Sequence, residues 1–236
     1  MDYSMAIAAV FGLAPAVALM YFVLKKYTYP AVERPFFSDP TLFGTFAVGL
    51  VVGTVLFVVY SYFDRASLIT AVAFAMIFEL IKMVILNMKR FQGKSDTVFY
   101  GYGLGLGMGA TLAFGMVFYI TRAGDMDTAS WLILAVISLT FVFLHSATGT
   151  TIGEGVTRNR PWEFFFQALL VDLLVQLIMV PVFAMDVGSS TYWLAYVALG
   201  GALLISIVYF YRMHFIKLPE IVRYVLRSEK KKKTVE

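Results

Sequence analysis

Four ionisable residues lie inside apolar stretches that are long enough to cross a bilayer: Glu79, Lys82, His145 and Asp172. An ionisable side chain at the centre of a bilayer costs about 2.5–3.5 kcal/mol on insertion scales, so it needs a partner or a task. By helical rise, Glu79 lies about 16 Å from the outer end of its stretch, and Asp172 about 14 Å from the inner end of its own. His145 also lies deep in its stretch. We therefore expect these side chains to share one cavity near the membrane midplane.

The spacing of Glu79 and Lys82 places both residues on one helix face, where they can pair. One interpretation is structural: Lys82 neutralises Glu79, and the pair helps the helices to assemble. The other is chemical: Lys82 holds a proton-handling carboxylate, and His145 acts as acid or base across the cavity. The catalytic residues would then be Glu79, Lys82 and His145.

His145 and Asp172 allow similar alternatives. A membrane histidine can bridge helices by hydrogen bonds without taking part in chemistry. Asp172 can pair with His145 or be protonated, and the sequence does not choose between these. In the structural interpretation Glu79, Lys82, His145 and Asp172 form a central polar cluster that holds helices together.

A series of small residues marks the stretch after the Glu79–Lys82 helix. Gly101, Gly105 and Gly109 recur every four residues, and Gly103, Gly107 and Thr111 form a second stripe. Small residues at this spacing let another helix approach closely. The pattern predicts a tight helix contact and does not name the partner. No GK[ST] sequence follows, so a phosphate-binding loop is excluded.

The elements that carry these residues are membrane helices. The 236 residues are 60% hydrophobic and only 14% charged, whereas a soluble domain carries about 25% charged residues. A span needs about 20 apolar residues. Seven stretches meet this condition, which predicts an all-α integral membrane protein with seven transmembrane helices: Met5–Leu24, Leu42–Phe63, Leu68–Met88, Val98–Ile120, Ser130–Gly149, Glu163–Ala184 and Thr191–Arg212.

The distribution of basic residues predicts the orientation. With the N-terminus outside, sixteen of the 19 Lys and Arg residues face the cytoplasm: Lys25, Lys26 and Arg34; Lys89, Arg90 and Lys94; Arg158 and Arg160; and eight from Arg212 to Lys233. Only Arg65 and Arg122 lie on the other side. Cytoplasmic connections carry the excess of positive charge, so we expect an outer N-terminus, a cytoplasmic C-terminus and the plasma membrane as location.

The C-terminal segment has a different character from the spans. We expect a transmembrane domain over residues 1–212 and a basic cytoplasmic tail over 213–236. Within the tail, Leu218–Arg227 alternates apolar and basic residues, which is typical of a short interfacial helix or of a frayed basic tail. The run Lys230–Lys233 predicts contact with anionic lipid headgroups.

Several classes of function are excluded or disfavoured by composition. The absence of cysteine excludes disulfides, a cysteine nucleophile and thiolate metal sites. Two histidines and isolated carboxylates do not predict a tight transition-metal site, and no cofactor is expected. Neither HExxH nor GxSxG is present. No surface combines basic and aromatic residues, so we expect no nucleic-acid partner.

The order of these motifs resembles a known superfamily. The sequence from Phe78 to Lys82, a basic turn, a glycine-rich span and the later Leu144-His145-Ser146 are similar to PrsW-type glutamic intramembrane proteases, CAAX-processing membrane proteases and the Aph (anterior-pharynx-defective) subunit of γ-secretase. The protease branch has Glu-Glu-x-x-Lys, where this chain has Phe78 in place of the first glutamate. It has a further glutamate in the glycine-rich span, where this chain has Leu112.

The resemblance to the Aph branch covers more of the chain. Phe11-Gly12-Leu13-Ala14-Pro15-Ala16 is similar to an opening motif of that family, and Glu79 and Lys82 are similar to its Glu-x-x-Arg pair. The resemblance implies a non-catalytic scaffold that packs against the transmembrane helices of other membrane proteins through its glycine-rich helix and polar cluster. The alternative that it implies is an intramembrane peptidase in which Glu79 activates water and His145 assists.

Overall fold

A computed structural model of the protein describes residues 3–33, 35–122, 127–184 and 192–224. These ranges contain no strand and seven long helices: α1 (Ser4–Leu24), α2 (Asp39–Ser61), α3 (Leu68–Leu86), α4 (Thr97–Thr121), α5 (Thr128–Thr157), α6 (Pro161–Ala184) and α7 (Trp193–Tyr211). All seven are long and apolar enough to cross a membrane. The prediction of an all-α protein with seven apolar helices of spanning length is confirmed.

Helix α5 is longer than its apolar pattern predicts, because it continues from Gly149 to Thr157 through a polar stretch. Thr150 and Thr151 donate their hydroxyl protons to the carbonyl oxygens of Ser146 and Ala147, at 2.7 and 2.9 Å. These hydrogen bonds within the helix satisfy hydroxyls that would otherwise disfavour burial. Thirty residues extend about 45 Å, which exceeds the hydrocarbon thickness of about 30 Å.

Helices α4 and α5 form the centre of the bundle. In the apolar 18-residue segment of each of these two helices about 70% of the residues are buried inside the protein, against 28–44% in the other five helices. Helices α1 and α2 pack on α4, whereas α6 and α7 pack on α5. Helix α3 contacts mainly α6 and, near the middle of the bundle, α5. The two central helices therefore position the groups that the outer helices bring to them.

The two small-residue stripes of α4 face two different helices of the same chain. Gly101, Gly105 and Gly109 face α5, where a Cβ atom on Gly109 would lie 2.7 Å from the carbonyl oxygen of Phe141. Gly103, Gly107 and Thr111 face α2, where a Cβ atom on Gly103 would lie 3.0 Å from the carbonyl oxygen of Leu42. Both predicted helix contacts exist, and both are internal. The glycine-rich helix is therefore covered by its own chain.

The helical path does not end at Arg212. A single π-helical turn, Arg212–Lys217, follows α7, and the helix then continues to Tyr224. Met213, His214, Leu218, Ile221 and Val222 of this continuation are buried against the bundle. The described part of the predicted tail is thus a packed helix, and the boundary expected at residue 212 falls inside it. Arg227 and Lys230–Lys233 lie outside the described residues.

The segments that follow α1, α3, α5 and α7 lie at one end of the bundle, which we call the basic end. They carry most of the described basic residues: Lys25, Lys26, Lys89, Arg90, Lys94, Arg158, Arg160, Arg212 and Lys217. There, Thr157 at the end of α5 donates to the carbonyl oxygen of Lys94, which precedes α4, at 2.9 Å. Lys26, which follows α1, lies 5.2 Å from the ring of Phe215 in the π-helical turn. At the opposite end, Arg65 lies 3.9 Å from the ring of Tyr119.

Candidate functional site

The structure brings together the four ionisable residues of the central polar cluster. Helix α3 carries Glu79 and Lys82, α5 carries His145, and α6 carries Asp172. All four residues have no exposed surface. The spacing of α3 aims both of its charged side chains at the junction between α5 and α6, whereas the opposite face of α3 remains apolar. Helix α3 and the consecutive helices α5 and α6 therefore meet at one polar point.

Lys82 is the hub of the cluster. Its Nζ donates to Glu79 Oε1 at 2.5 Å, to Thr148 Oγ1 at 2.6 Å and lies 3.1 Å from His145 Nδ1. A lysine ammonium has three protons and no acceptor, so these three partners use its full hydrogen-bonding capacity. Thr148 was not singled out from the sequence, although it lies one helical turn beyond His145. Lys82 joins α3 to α5 through two of these bonds.

The tautomer of His145 follows from its contact with Lys82. Because the ammonium can only donate, Nδ1 of His145 accepts, and in the neutral imidazole the proton is carried by Nε2. The imidazole ring is held between Phe78, whose ring centroid lies 5.2 Å away edge-on, and the stacked Phe141 at 6.0 Å. In the described part of the chain, Nε2 has no hydrogen-bond partner. The ring thus presents a buried donor with a fixed direction.

Asp172 completes the cluster with a second carboxyl group. Ligand atoms of Glu79, His145 and Asp172 all lie within 4.8 Å of one another. Gln176, one turn along α6, reaches Asp172 Oδ1 only at 3.5 Å. Among the described residues, Oε2 of Glu79 and Oδ2 of Asp172 have no hydrogen-bond partner. Two neighbouring carboxyl groups therefore each keep one oxygen unused by the protein.

The charges of the cluster limit what it can hold. Two carboxyl groups face one ammonium, so neutrality requires one further positive charge, such as a proton shared between Glu79 and Asp172. A metal ion would be a second means of neutralisation. Lys82 already donates to Oε1 of Glu79 and Nδ1 of His145, so an ion bound by this donor set would lie beside an ammonium group. That repulsion favours the proton over the metal.

A second buried polar group lies nearer the basic end, and its histidine was not expected to be buried. His214 of the π-helical turn is only 2% exposed. Its Nε2 lies 2.9 Å from Thr150 Oγ1, its Nδ1 donates to the carbonyl oxygen of Phe210 at 3.0 Å, and its ring packs on Tyr102. The π-helical turn changes the period of the buried face of α7 at this point, so no periodic pattern in the sequence indicates this position.

Polar residues of α5 lie at intervals between the central cluster and the basic end. From the central cluster towards the basic end, the helix carries His145, Thr148, Thr151, Glu154 and Arg158, spaced by three or four residues. Thr151 hydrogen-bonds to the hydroxyl of Tyr209 on α7 at 2.6 Å, and Glu154 pairs with Arg158 at 2.7 Å. Because steps of three residues rotate by about 60°, these residues wind around α5, so that Thr148 contacts Lys82 of α3 whereas Thr151 contacts Tyr209 of α7.

Comparison of the chain with protein-family models, with curated proteins and with solved structures finds no match.

Proposed function

We propose that this protein is a non-catalytic, Aph-like scaffold of the cell membrane, with its N-terminus outside and its basic end in the cytoplasm. Its task is to hold partner transmembrane helices, and the polar cluster maintains the shape that they recognise. The observation that carries the proposal is the arrangement around Lys82. The ammonium group is fully buried and directs all three of its protons to partners within the chain, which is suited to fixing α3 against α5.

A partner helix needs a surface on which no helix of this chain already covers the glycines. Both stripes of α4 are occupied by α2 and α5, so a partner helix cannot use them. On α7, by contrast, a Cβ atom added to Gly200 or Gly201 would meet nothing within 4 Å. Gly200 lies on the exposed face with Val197 and Leu204. In a membrane helix, uncovered glycines let a second backbone approach closely.

The scaffold proposal predicts that a bulky residue on this face separates the partner from an intact protein. Gly200→Leu should remove a stoichiometric partner that co-purifies with the tagged wild-type chain in mild detergent. The melting temperature of the chain should stay within about 2 °C of wild type, because nothing packs on this glycine. The measurement is a quantitative pull-down from host membranes, with thermal unfolding followed in parallel.

Gly44 supplies the matched control, because it is an exposed glycine on α2 that also has open space around it. Gly44→Leu should retain the partner. Loss of the partner in both variants, or in neither, would count against α7 as the docking face. A wild-type chain that purifies without any stoichiometric membrane protein would contradict the scaffold itself.

A second candidate function is an intramembrane peptidase, and the position of Asp172 favours it. The protease branch uses more than one carboxylate, and Asp172 supplies a second one beside Glu79, although Phe78 and Leu112 stand at the family's own positions. In such a reaction Glu79 would take a proton from the attacking water and pass it to the leaving amine, and His145, whose Nε2 proton has no partner among the described residues, would stabilise the oxyanion. The helices around the cluster would have to separate to admit a peptide.

Carboxyl-to-amide substitutions distinguish the two functions. If the protein is a peptidase, the purified wild type should cleave a panel of reconstituted transmembrane peptides. Glu79→Gln and Asp172→Asn should each lower that rate by a factor of about 10² or more, as expected for loss of a general base. The scaffold proposal expects no cleavage by the wild type. Equal cleavage by the wild type and Glu79→Gln would indicate a contaminating protease and support neither function.

A further inference from the structure

A polar cavity of 490 Å³ opens at the basic end, away from the central cluster. Its walls come from the ends of α5, α6 and α7 and from the π-helical turn. The basic residues that line it are Arg158, Arg160, Arg212 and Lys217, and the acidic ones are Glu154 and Glu163. Four cationic groups against two anionic groups leave an excess of positive charge.

The two acidic residues of this cavity are already paired. Arg158 contacts Glu154 at 2.7 Å, and Arg160 contacts Glu163 at 2.8 Å. Lys217 reaches only an exposed carboxylate outside the cavity, that of Glu220, at 3.3 Å. Arg212 forms no ion pair within the described part of the chain. Arg212 is therefore the cation of this cavity that has no ion-pair partner among the described residues, and Lys217 is paired only with the exposed Glu220, an ion pair of a kind that contributes little in water.

The π-helical turn explains why these two residues face one cavity. In an α-helix, residues five apart point about 140° away from each other, because successive residues are rotated by roughly 100°. A π-helix forms its hydrogen bonds between residues five apart, which places such residues on the same side. Arg212 and Lys217 are the first and last residues of the turn. The unusual helix thus directs both cations towards the same site.

Beside Gln167 and Tyr209, the wall has an apolar part that extends into the membrane. Phe164, Leu170 and Met213 line the cavity beside the charged groups. From Glu163 to Val171 the cavity follows about 12 Å of helix α6. Leu170 is 66% exposed on the outer surface of the bundle, where acyl chains pack. A free inorganic anion would use the cations and leave this wall uncovered, whereas an amphiphilic anion would cover both.

We propose that this cavity binds the phosphate group of one anionic phospholipid, with Arg212 and Lys217 as its principal ligands and the α6 wall against its acyl chains. The guanidinium group of Arg212 can hold two phosphate oxygens at once, and Lys217 contributes a point charge. The ligands of this site are other residues than those of the lysine run Lys230–Lys233. It also does not depend on the scaffold proposal, because no partner protein takes part.

The test is native mass spectrometry of the full-length protein in detergent with phosphatidylglycerol, phosphatidylcholine or inorganic phosphate. The wild type should retain one phosphatidylglycerol in preference to phosphatidylcholine, and inorganic phosphate should not displace it. The double variant Arg212→Gln/Lys217→Gln should bind phosphatidylglycerol roughly 10- to 30-fold more weakly, from the loss of two interfacial cations. The matched control is Lys89→Gln/Lys94→Gln, which removes two exposed charges outside the cavity at the same end and should leave binding unchanged.

Three results would overturn the proposal. Equal retention of the two lipids would show that charge does not select the ligand, and equal weakening in both double variants would show that general surface charge is responsible. Displacement of the lipid by inorganic phosphate would assign the cavity to the free anion. Thermal unfolding of each variant, without added lipid, identifies any loss of binding that comes from loss of structure.

Discussion

Replacing Lys82 by methionine should destabilise the protein by about 3–5 kcal/mol, more than any other single substitution in the central cluster. Methionine matches the length of the lysine stem but removes the charge that faces Glu79 at 2.5 Å. A buried carboxylate then has no cation, and loss of one partner of a buried pair typically has a cost of this size. Thr148 Oγ1 and His145 Nδ1 lose the donor that they share in the same step. The measurement is thermal unfolding in detergent, followed by tryptophan fluorescence.

The double variant Glu79→Gln/Lys82→Met is the control that separates charge from packing. It removes both members of the pair, and replacement of a whole buried pair by neutral groups is often close to neutral for stability. We expect the double variant to recover most of the stability that Lys82→Met loses. A double-mutant cycle should give a coupling energy of roughly 2 kcal/mol or more. Additive losses would indicate that the two side chains do not act as a pair.

The same double variant bears on function. As a scaffold, the protein needs the helices α3, α5 and α6 in place but does not need a reactive carboxylate. A refolded Glu79→Gln/Lys82→Met chain should therefore still bind its partner. A peptidase would lose its activity in this variant however well it folds, because the water-activating group is gone. If the protein is a scaffold, the double variant should recover both stability and partner binding. If it is a peptidase, the double variant should recover stability without activity.

The helices and one half of the polar cluster could be predicted from the sequence, because both depend on local spacing. Stretches of about 20 apolar residues predict the spans, and the interval between Glu79 and Lys82 places them on one face. The proximity of His145 and Asp172 to this pair could be predicted only from the depth of these residues in their apolar stretches. Thr148 and the exact partners of each atom depend on the rotation of α5 and α6, which no local pattern determines.

The features that could not be predicted depend on contacts between distant segments. Hydropathy ended the fifth span at Gly149, whereas packing on Gly101 and Gly105 of α4 lets the polar end of α5 remain helical. Hydropathy likewise places the end of the last span at Arg212, where charged residues begin, whereas the helix continues to Tyr224 through the π-helical turn, which changes the period of the buried face. His214 therefore appeared to belong to the tail, although it is buried against Tyr102.

Substitution of Gly105 by alanine is the second change with a large expected effect. The added Cβ atom would collide with the carbonyl oxygen of His145, which is backbone and cannot rotate away. Helices α4 and α5 would have to separate along the centre of the bundle. We expect a loss of about 1–3 kcal/mol, the usual cost of overpacking a close-packed core. Gly44→Ala is the matched control, because the same methyl group would meet open space there.

The collision at Gly105 involves the backbone of a cluster residue, so its effect should reach the polar site. Movement of the His145 carbonyl group also moves the imidazole that Lys82 contacts at 3.1 Å. Gly105→Ala and Lys82→Met should consequently be less than additive, since each variant weakens the same contact between α3 and α5. Full additivity would mean that α5 can shift along α4 without disturbing the cluster. The charged groups would then act independently of the glycine packing that brings them together.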